Sequence, residues 1–188
     1  MTDAISDSDV QLLAAVAATL KQEYIREGAV DPWANSPFAW IRSLKSRQIG
    51  KVGEQLVSGW CAAKGFDVTR SPDSDADRII GDRRMEIKFS TLWESGIYNF
   101  QQLRDQNYEY AICLGISPFV VGCWVIPKGD LLERLPIQHG GVRGSDTRWL
   151  QFPASRPPPW LRHHGGTLAE AYEVLRAIAD DSSGNPPE

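Results

Sequence analysis

Asp77-Arg78-Ile79-Ile80-Gly81-Asp82-Arg83-Arg84-Met85-Glu86-Ile87-Lys88 is the stretch from which the fold is read. Ile79-Ile80 and Met85 to Phe89 have the character of two short strands, and Gly81-Asp82 between them suits a two-residue hairpin turn with glycine first. That turn sets a register: Ile80 opposite Arg83, Ile79 opposite Arg84, Arg78 opposite Met85 and Asp77 opposite Glu86. Strand side chains alternate with period two. Asp77, Glu86 and Lys88 therefore share one face, and Ile80, Met85, Ile87 and Phe89 the other. Opposed residues have Cβ atoms about 4.5–5.5 Å apart, so Asp77 and Glu86 repel unless positive charge lies between them. A hard divalent cation with oxygen ligands meets that need, and so does the Lys88 ammonium. A hairpin with its charged face in water is the plainer account of a lone Glu-x-Lys. The cross-strand Asp77 and the apolar opposite face argue for a site.

Upstream, a helix is predicted from about Arg47 to Lys64, closed by Gly65. Ile49, Val52, Leu56, Trp60 and Ala63 recur at helical spacing, widened by Val57 and Cys61. Glu54 falls at the edge of that apolar arc. Alone it reads as a surface glutamate, and its place one helix before the hairpin makes a site role an equal alternative. Phe66-Asp67-Val68-Thr69-Arg70 then alternates as a strand beside the hairpin.

The order helix-Glu54, strand, Asp77, hairpin, Glu86-x-Lys88 resembles the PD-(D/E)xK nucleases, the restriction-endonuclease-like superfamily, and Lys51 to Lys88 is most similar to small restriction- and resolvase-type members. About forty of the 188 residues carry the resemblance. One departure stands out: Ala76, not proline, precedes Asp77, whereas a literal Pro72-Asp73 lies four residues earlier. Asp73 and Asp75 share parity with Asp77 but lie in the polar run 71–76, which reads as a loop. Pairing favours Asp77, with Asp75 as the alternative.

The resemblance implies an α/β fold with a restriction-endonuclease-like core, a central mixed β-sheet flanked by helices. It also implies a Mg²⁺-dependent DNA endonuclease, with Mn²⁺ as a substitute ion, that hydrolyses phosphodiesters. Asp77 and Glu86 would bind metal together with the Ile87 carbonyl. Lys88 would orient or help deprotonate the attacking water and stabilise the phosphate, and Glu54 would hold a second metal or a metal-bound water. A Holliday-junction resolvase with the same site, and a non-catalytic nucleic-acid-binding module of the same fold, are the alternative readings. A homodimer making paired cuts fits either nuclease.

Composition leaves this reading open. The net charge is −4, which argues against a nucleic-acid partner until its distribution is considered. Residues 1–31 hold six acids and two bases, and 180–188 hold three acids and no base, which leaves the middle of the chain mildly basic. Arg42, Lys45, Arg47 and Lys51 form an acid-free run just before Glu54, placed to touch DNA phosphates or simply to be solvated. No run approaches a membrane span, and the N-terminus lacks a basic-then-apolar signal. The expected location is the cytoplasm. Cys61, Cys113 and Cys123 lack metal-ligand spacing and sit in apolar stretches, so they read as buried thiols.

The rest of the chain reads in order. Residues 8–27 have helical periodicity with Gly28 as a stop, and residues 1–34 read as an N-terminal helix and linker. Ser36 and Pro37 open a short helix over Phe38 to Lys45. Residues 90–96 read as a loop, and Tyr98 to Asp105 as a helix. That helix would offer Gln101, Gln102 and Arg104 to the site or to the DNA backbone. Tyr110 to Ile116 and Phe119 to Ile126 are apolar strands, with a further strand at Arg148 to Phe152. His139, His163 and His164 read as loop histidines. Arg143, Arg148, Arg156 and Arg162, with Trp149 and Trp160, are a second candidate DNA-facing surface. Thr167 and Glu170 form a capping box for a last helix to about Ala179. The nuclease-like domain thus spans 35–179, followed by a disordered tail at 180–188.

Overall fold

The computed structural model describes residues 11, 12, 14–16, 31–138 and 146–183. The chain divides into two units after Ala34. In the first, residues 11–12 and 14–16 are helical, and the Trp33 N–H donates to the Asp31 carboxylate at 3.0 Å. Most of the helix expected over 8–27, Gly28 included, lies outside the described residues.

The second unit is mixed α/β. The hairpin forms as the register requires. β2 (Arg78–Ile80) pairs antiparallel with β3 (Arg83–Thr91) through Arg78–Met85, Ile79–Arg84 and Ile80–Arg83. Gly81 and Asp82 both have positive φ, 54° and 64°, the signature of a turn whose twist matches its flanking strands. β1 (Val68–Arg70) adds on the far side of β2. β3 pairs in parallel with β5 (Tyr110–Ile116), which pairs antiparallel with β6 (Val121–Pro127), and β9 (Gly165–Thr167) closes that edge. The result is a six-stranded mixed sheet, β1-β2-β3-β5-β6-β9.

Helix α1 (Ser46–Ala63) lies across β3. Gly53 permits this closeness, because a Cβ there would come 2.3 Å from the Phe89 Cβ. With Val57 and Cys61 it forms the helix's buried stripe, and the next residue in the chain is Glu54. Helix α2 (Lys128–Arg134) follows β6 without a break, and α3 (Leu168–Ser183) packs on β6 and β9. The Thr167–Glu170 capping box forms: Glu170 Oε2 accepts from the Thr167 N–H at 2.8 Å, and Thr167 Oγ1 accepts from the Glu170 N–H at 3.2 Å. Residues 180–183, expected in the tail, continue α3, and 184–188 lie outside the described residues.

Three expectations are corrected. Residues 97–103 form a strand, β4 (Ile97–Leu103), and not a helix. It pairs with β8 (Thr147–Pro153), which pairs with β7 (Ile137–Gln138), in a separate three-stranded sheet. Tyr98 and Phe100 are the reason: two residues apart, they share a face in a strand but diverge in a helix. Both join a core of Trp124, Ile126, Leu150 and Phe152 drawn from the two sheets, with ring centroids 5.1 Å apart for Trp124–Phe152 and 6.3 Å for Phe100–Trp124. Second, Ser90 and Thr91 belong to β3, because its pairing with β5 runs on to Thr91–Ile116. Third, the short helix is a single 3-10 turn, Ala39–Ser43. Ser36 accepts from the Phe38 N–H at 3.1 Å and donates to the Pro118 carbonyl, so it ties two loops together instead of capping a helix.

The three cysteines are free and buried. Among the described residues no helix is long and apolar enough to cross a membrane.

Candidate active site

One cleft of about 420 Å³ gathers Glu54 from α1, Asp77 before β2, Glu86, Ile87 and Lys88 from β3, and Asn99, Gln101 and Gln102 from β4. Asp77 is tied in at two points. Its N–H donates to the Met85 carbonyl at 2.9 Å, and its Oδ2 accepts from the Ile87 N–H at 2.7 Å. The carboxylate is thus aimed along β3 toward Glu86. Asp75 does not line the cleft. Asp73 is exposed and paired with Arg84, so the two earlier aspartates stand apart from the cluster.

Glu86 is 7% exposed and its Oε1 lies 2.5 Å from the Lys88 ammonium. Burial pushes the Glu86 carboxyl above its ordinary range. Lys88 opposes that shift, while the charge of Asp77 and a side-chain hydrogen bond with it add to it. The carboxyl is raised with a lysine in contact because desolvation and a second carboxylate together outweigh one ion pair.

Glu54 is raised too, by burial first and then by Asp77, against the pull of Arg78, Lys51 and Lys88. Arg78 is the residue that the sequence did not mark. Its parity places it on the α1 side of the hairpin, where Nη2 lies 3.5 Å from Glu54, Nε donates to Ser58 Oγ at 3.0 Å and Nη1 to the Asp77 carbonyl at 2.7 Å. One guanidinium thus locks α1 to the strand bearing Asp77. Arginine's fixed fork of donors suits this better than lysine would.

β4 supplies the opposite wall. Gln101 and Gln102 are exposed at the cleft mouth. The pairing with β8 shifts register between Phe100 and Leu103, and Gln102 has φ 59°. This bulge, a left-handed backbone on a non-glycine residue, turns both glutamines to the opening. Arg104, grouped with them on the helix expectation, lines a separate hollow with Asp105 and Arg148. Asn99 was also missed. Its signal was the alternation Tyr98-Asn99-Phe100, aromatic, polar, aromatic.

Arg42, Lys45, Arg47 and Lys51 are all exposed. Ser46, Ile49 and Gly50, interleaved with them, line the cleft. Arg42 lines an adjoining hollow that shares Ile49, Thr91 and the exposed Trp93 with the cleft. Arg156 and Arg162 flank a different hollow with Trp124 and Glu170, and Arg143 and His139 lie outside the described residues. His163 and His164 end a 3-10 turn, Pro159–His164. His164 pairs with Asp130 at 2.9 Å.

No protein-family model and no curated protein matches the chain. Among solved structures it is similar to a bacterial homing endonuclease, I-Ssp6803I. The TM-score is 0.49 at 14% identity, covering 76% of this chain and all of that one.

The donor set suits a hard cation. Asp77 and Glu86 offer adjacent oxygens, and a cation between them would relieve the repulsion that adds to the burial-driven rise of Glu86. Mg²⁺ is commonly held by one or two carboxylates, with substrate phosphates completing its shell. Among the described residues no three His, Cys, Asp or Glu side chains form a metal-binding cluster, and Glu54 is paired with Arg78.

Proposed function

We propose that the chain is a Mg²⁺-dependent DNA endonuclease that hydrolyses phosphodiester bonds in this cleft. The observation that carries the reading is the meeting of Asp77, Glu86, Lys88 and Glu54 in one opening, two of the carboxylates side by side. Asp77, Glu86 and the Ile87 carbonyl would hold the ion, with Mn²⁺ able to replace it. When bound, it lowers the pKa of a coordinated water and neutralises charge that develops on the phosphate.

The chain's own groups do the rest. The Ile87 N–H fixes the Asp77 carboxylate. Glu86 holds the Lys88 ammonium at the cleft floor, where it orients the attacking water and stabilises the pentavalent phosphate. Water adds to phosphorus as the bond to the leaving oxygen breaks, and the ammonium faces the charge that grows between them. Glu54, anchored by Arg78, accepts a hydrogen bond from the water on the α1 side. The exposed bases Arg42, Lys45, Arg47 and Lys51 carry the duplex past the cleft, and Gln101 and Gln102 at the cleft mouth contact its backbone.

The test is a cleavage assay on linear, supercoiled and four-way DNA, with Mg²⁺ and with chelator. Cleavage in Mg²⁺ that stops with chelator is expected, and the preferred DNA separates a restriction-type enzyme from a junction resolvase. DNA binding with no cleavage in Mg²⁺ or Mn²⁺ would leave a non-catalytic binding module.

A further inference from the structure

Among the described residues that line the cleft, Asn99 holds a buried side-chain amide with no partner. It is 5% exposed, it lines the cleft, and neither its side-chain nitrogen nor its side-chain oxygen has a hydrogen-bond partner among the described residues. Its backbone, by contrast, is fixed. The Asn99 N–H donates to Ser90 Oγ at 3.0 Å, and the residue pairs with Gln151 of β8. Ser90 shares strand parity with Glu86 and Lys88, so this bond ties Asn99 to the face of β3 that carries the ion pair. Tyr98 and Phe100, on either side, are spent on the aromatic core. Alternation therefore turns Asn99 the other way.

A buried amide without a partner destabilises the fold, whereas an apolar side chain of similar shape would not. Buried polar groups are ordinarily satisfied. An amide left open in the cleft that holds Lys88 therefore points to a ligand carrying acceptors. A phosphodiester has them in its non-bridging oxygens, and a neutral donor can hold one without upsetting the charge balance of Asp77, Glu86 and Lys88.

We propose that Asn99 is a substrate-contact residue whose side-chain amide donates to a phosphate oxygen of the bound DNA next to Lys88. This inference rests on the nuclease reading and adds a contact on the β4 wall. The test compares wild type with Asn99→Leu and Asn99→Ala by melting temperature, by DNA affinity in Ca²⁺ and by kcat/KM in Mg²⁺. Leucine keeps the bulk of the side chain, and alanine guards against overpacking. At least one variant should melt no lower than wild type while kcat/KM falls about 10- to 100-fold, the range expected for a hydrogen bond to a charged group. A kcat/KM within twofold of wild type, or melting temperatures that fall in both variants along with activity, would make Asn99 structural and overturn the inference. A wild type that binds DNA but never cleaves would overturn the nuclease reading instead. Affinity would then decide for Asn99, with about a tenfold loss supporting the contact and an unchanged value excluding it.

Discussion

On one side of the cleft, β3 presents Glu86 and Lys88 at 2.5 Å from each other, with Asp77 beside them. On the other, β4 presents only neutral amides: Asn99, unpartnered and buried, and Gln101 and Gln102 at the mouth. The charged wall is a coupled set. Burial, Lys88 and Asp77 all act on the charge of Glu86, so removing one member resets the others. The amide wall has no such coupling. Its groups should act singly, with effects that add. Under the proposed nuclease function, chemistry would fall to β3 and grip to β4.

Asp77→Asn tests that division most severely, since it makes one member of the charged wall an amide like those opposite. It should lower cleavage about a thousandfold, because the ion that Asp77 would hold under the proposed function is worth several kcal/mol at about 1.4 kcal/mol per decade. A loss below tenfold in single-turnover assays would return attention to Asp75. Next in size is the basic run. Alanine at Arg42, Lys45, Arg47 and Lys51 together should weaken binding similarly on all sequences. The salt slope of log K should flatten by about one counterion per lost contact. Unchanged affinity and slope would show these charges to be merely solvated, and the DNA path would then be sought along Arg148, Arg156 and Arg162. Gln101→Ala and Gln102→Ala should each cost little, about 1 kcal/mol, as loss of DNA affinity with kcat intact. A larger loss in the double variant than the two singles predict would join β4 to the coupled set.

The smallest effect concerns pH. A carboxyl raised on folding binds its proton more tightly in the native state. Its stabilising contribution is present below its ordinary value of about 4.5 and is lost as pH rises through the raised value. Glu86 and Glu54 are both raised, so without divalent ions their contribution to stability should fall as pH rises above 4.5, while that of the half-buried His164, whose pKa is lowered, rises. Glu86→Gln should flatten that decline, and Mg²⁺ should restore neutral-pH stability to wild type but not to the variant. Identical melting profiles for wild type and Glu86→Gln would show that burial of this carboxylate carries no such cost.

The charged wall was legible in the sequence because its determinants are local: a two-residue turn sets a register, and the register sets which carboxylates meet. The approach of α1 was half legible, since its apolar stripe is periodic. The tie from Arg78 to Glu54 and Ser58 depends on how closely Gly53 lets the helix sit on Phe89, and no spacing encodes that. The amide wall was misread because Gln102 breaks the alternation begun by Tyr98 and Phe100. The bulge that accommodates it depends on pairing with β8, some fifty residues away in the chain. The basic patch was legible as composition, but only the fold places it beside the cleft and puts Arg104 elsewhere.

The most direct measurement of the central claim is Lys88→Ala, read by DNA affinity and by single-turnover cleavage in Mg²⁺. Lys88 sits on Glu86 in the cleft, and under the proposed function it would act on charge that develops only in the transition state. Cleavage should therefore collapse by about 10²–10⁴-fold while affinity stays within a few-fold of wild type. Cleavage that persists, or affinity that falls in step with it, would contradict the account and make Lys88 a phosphate anchor on an otherwise inert wall.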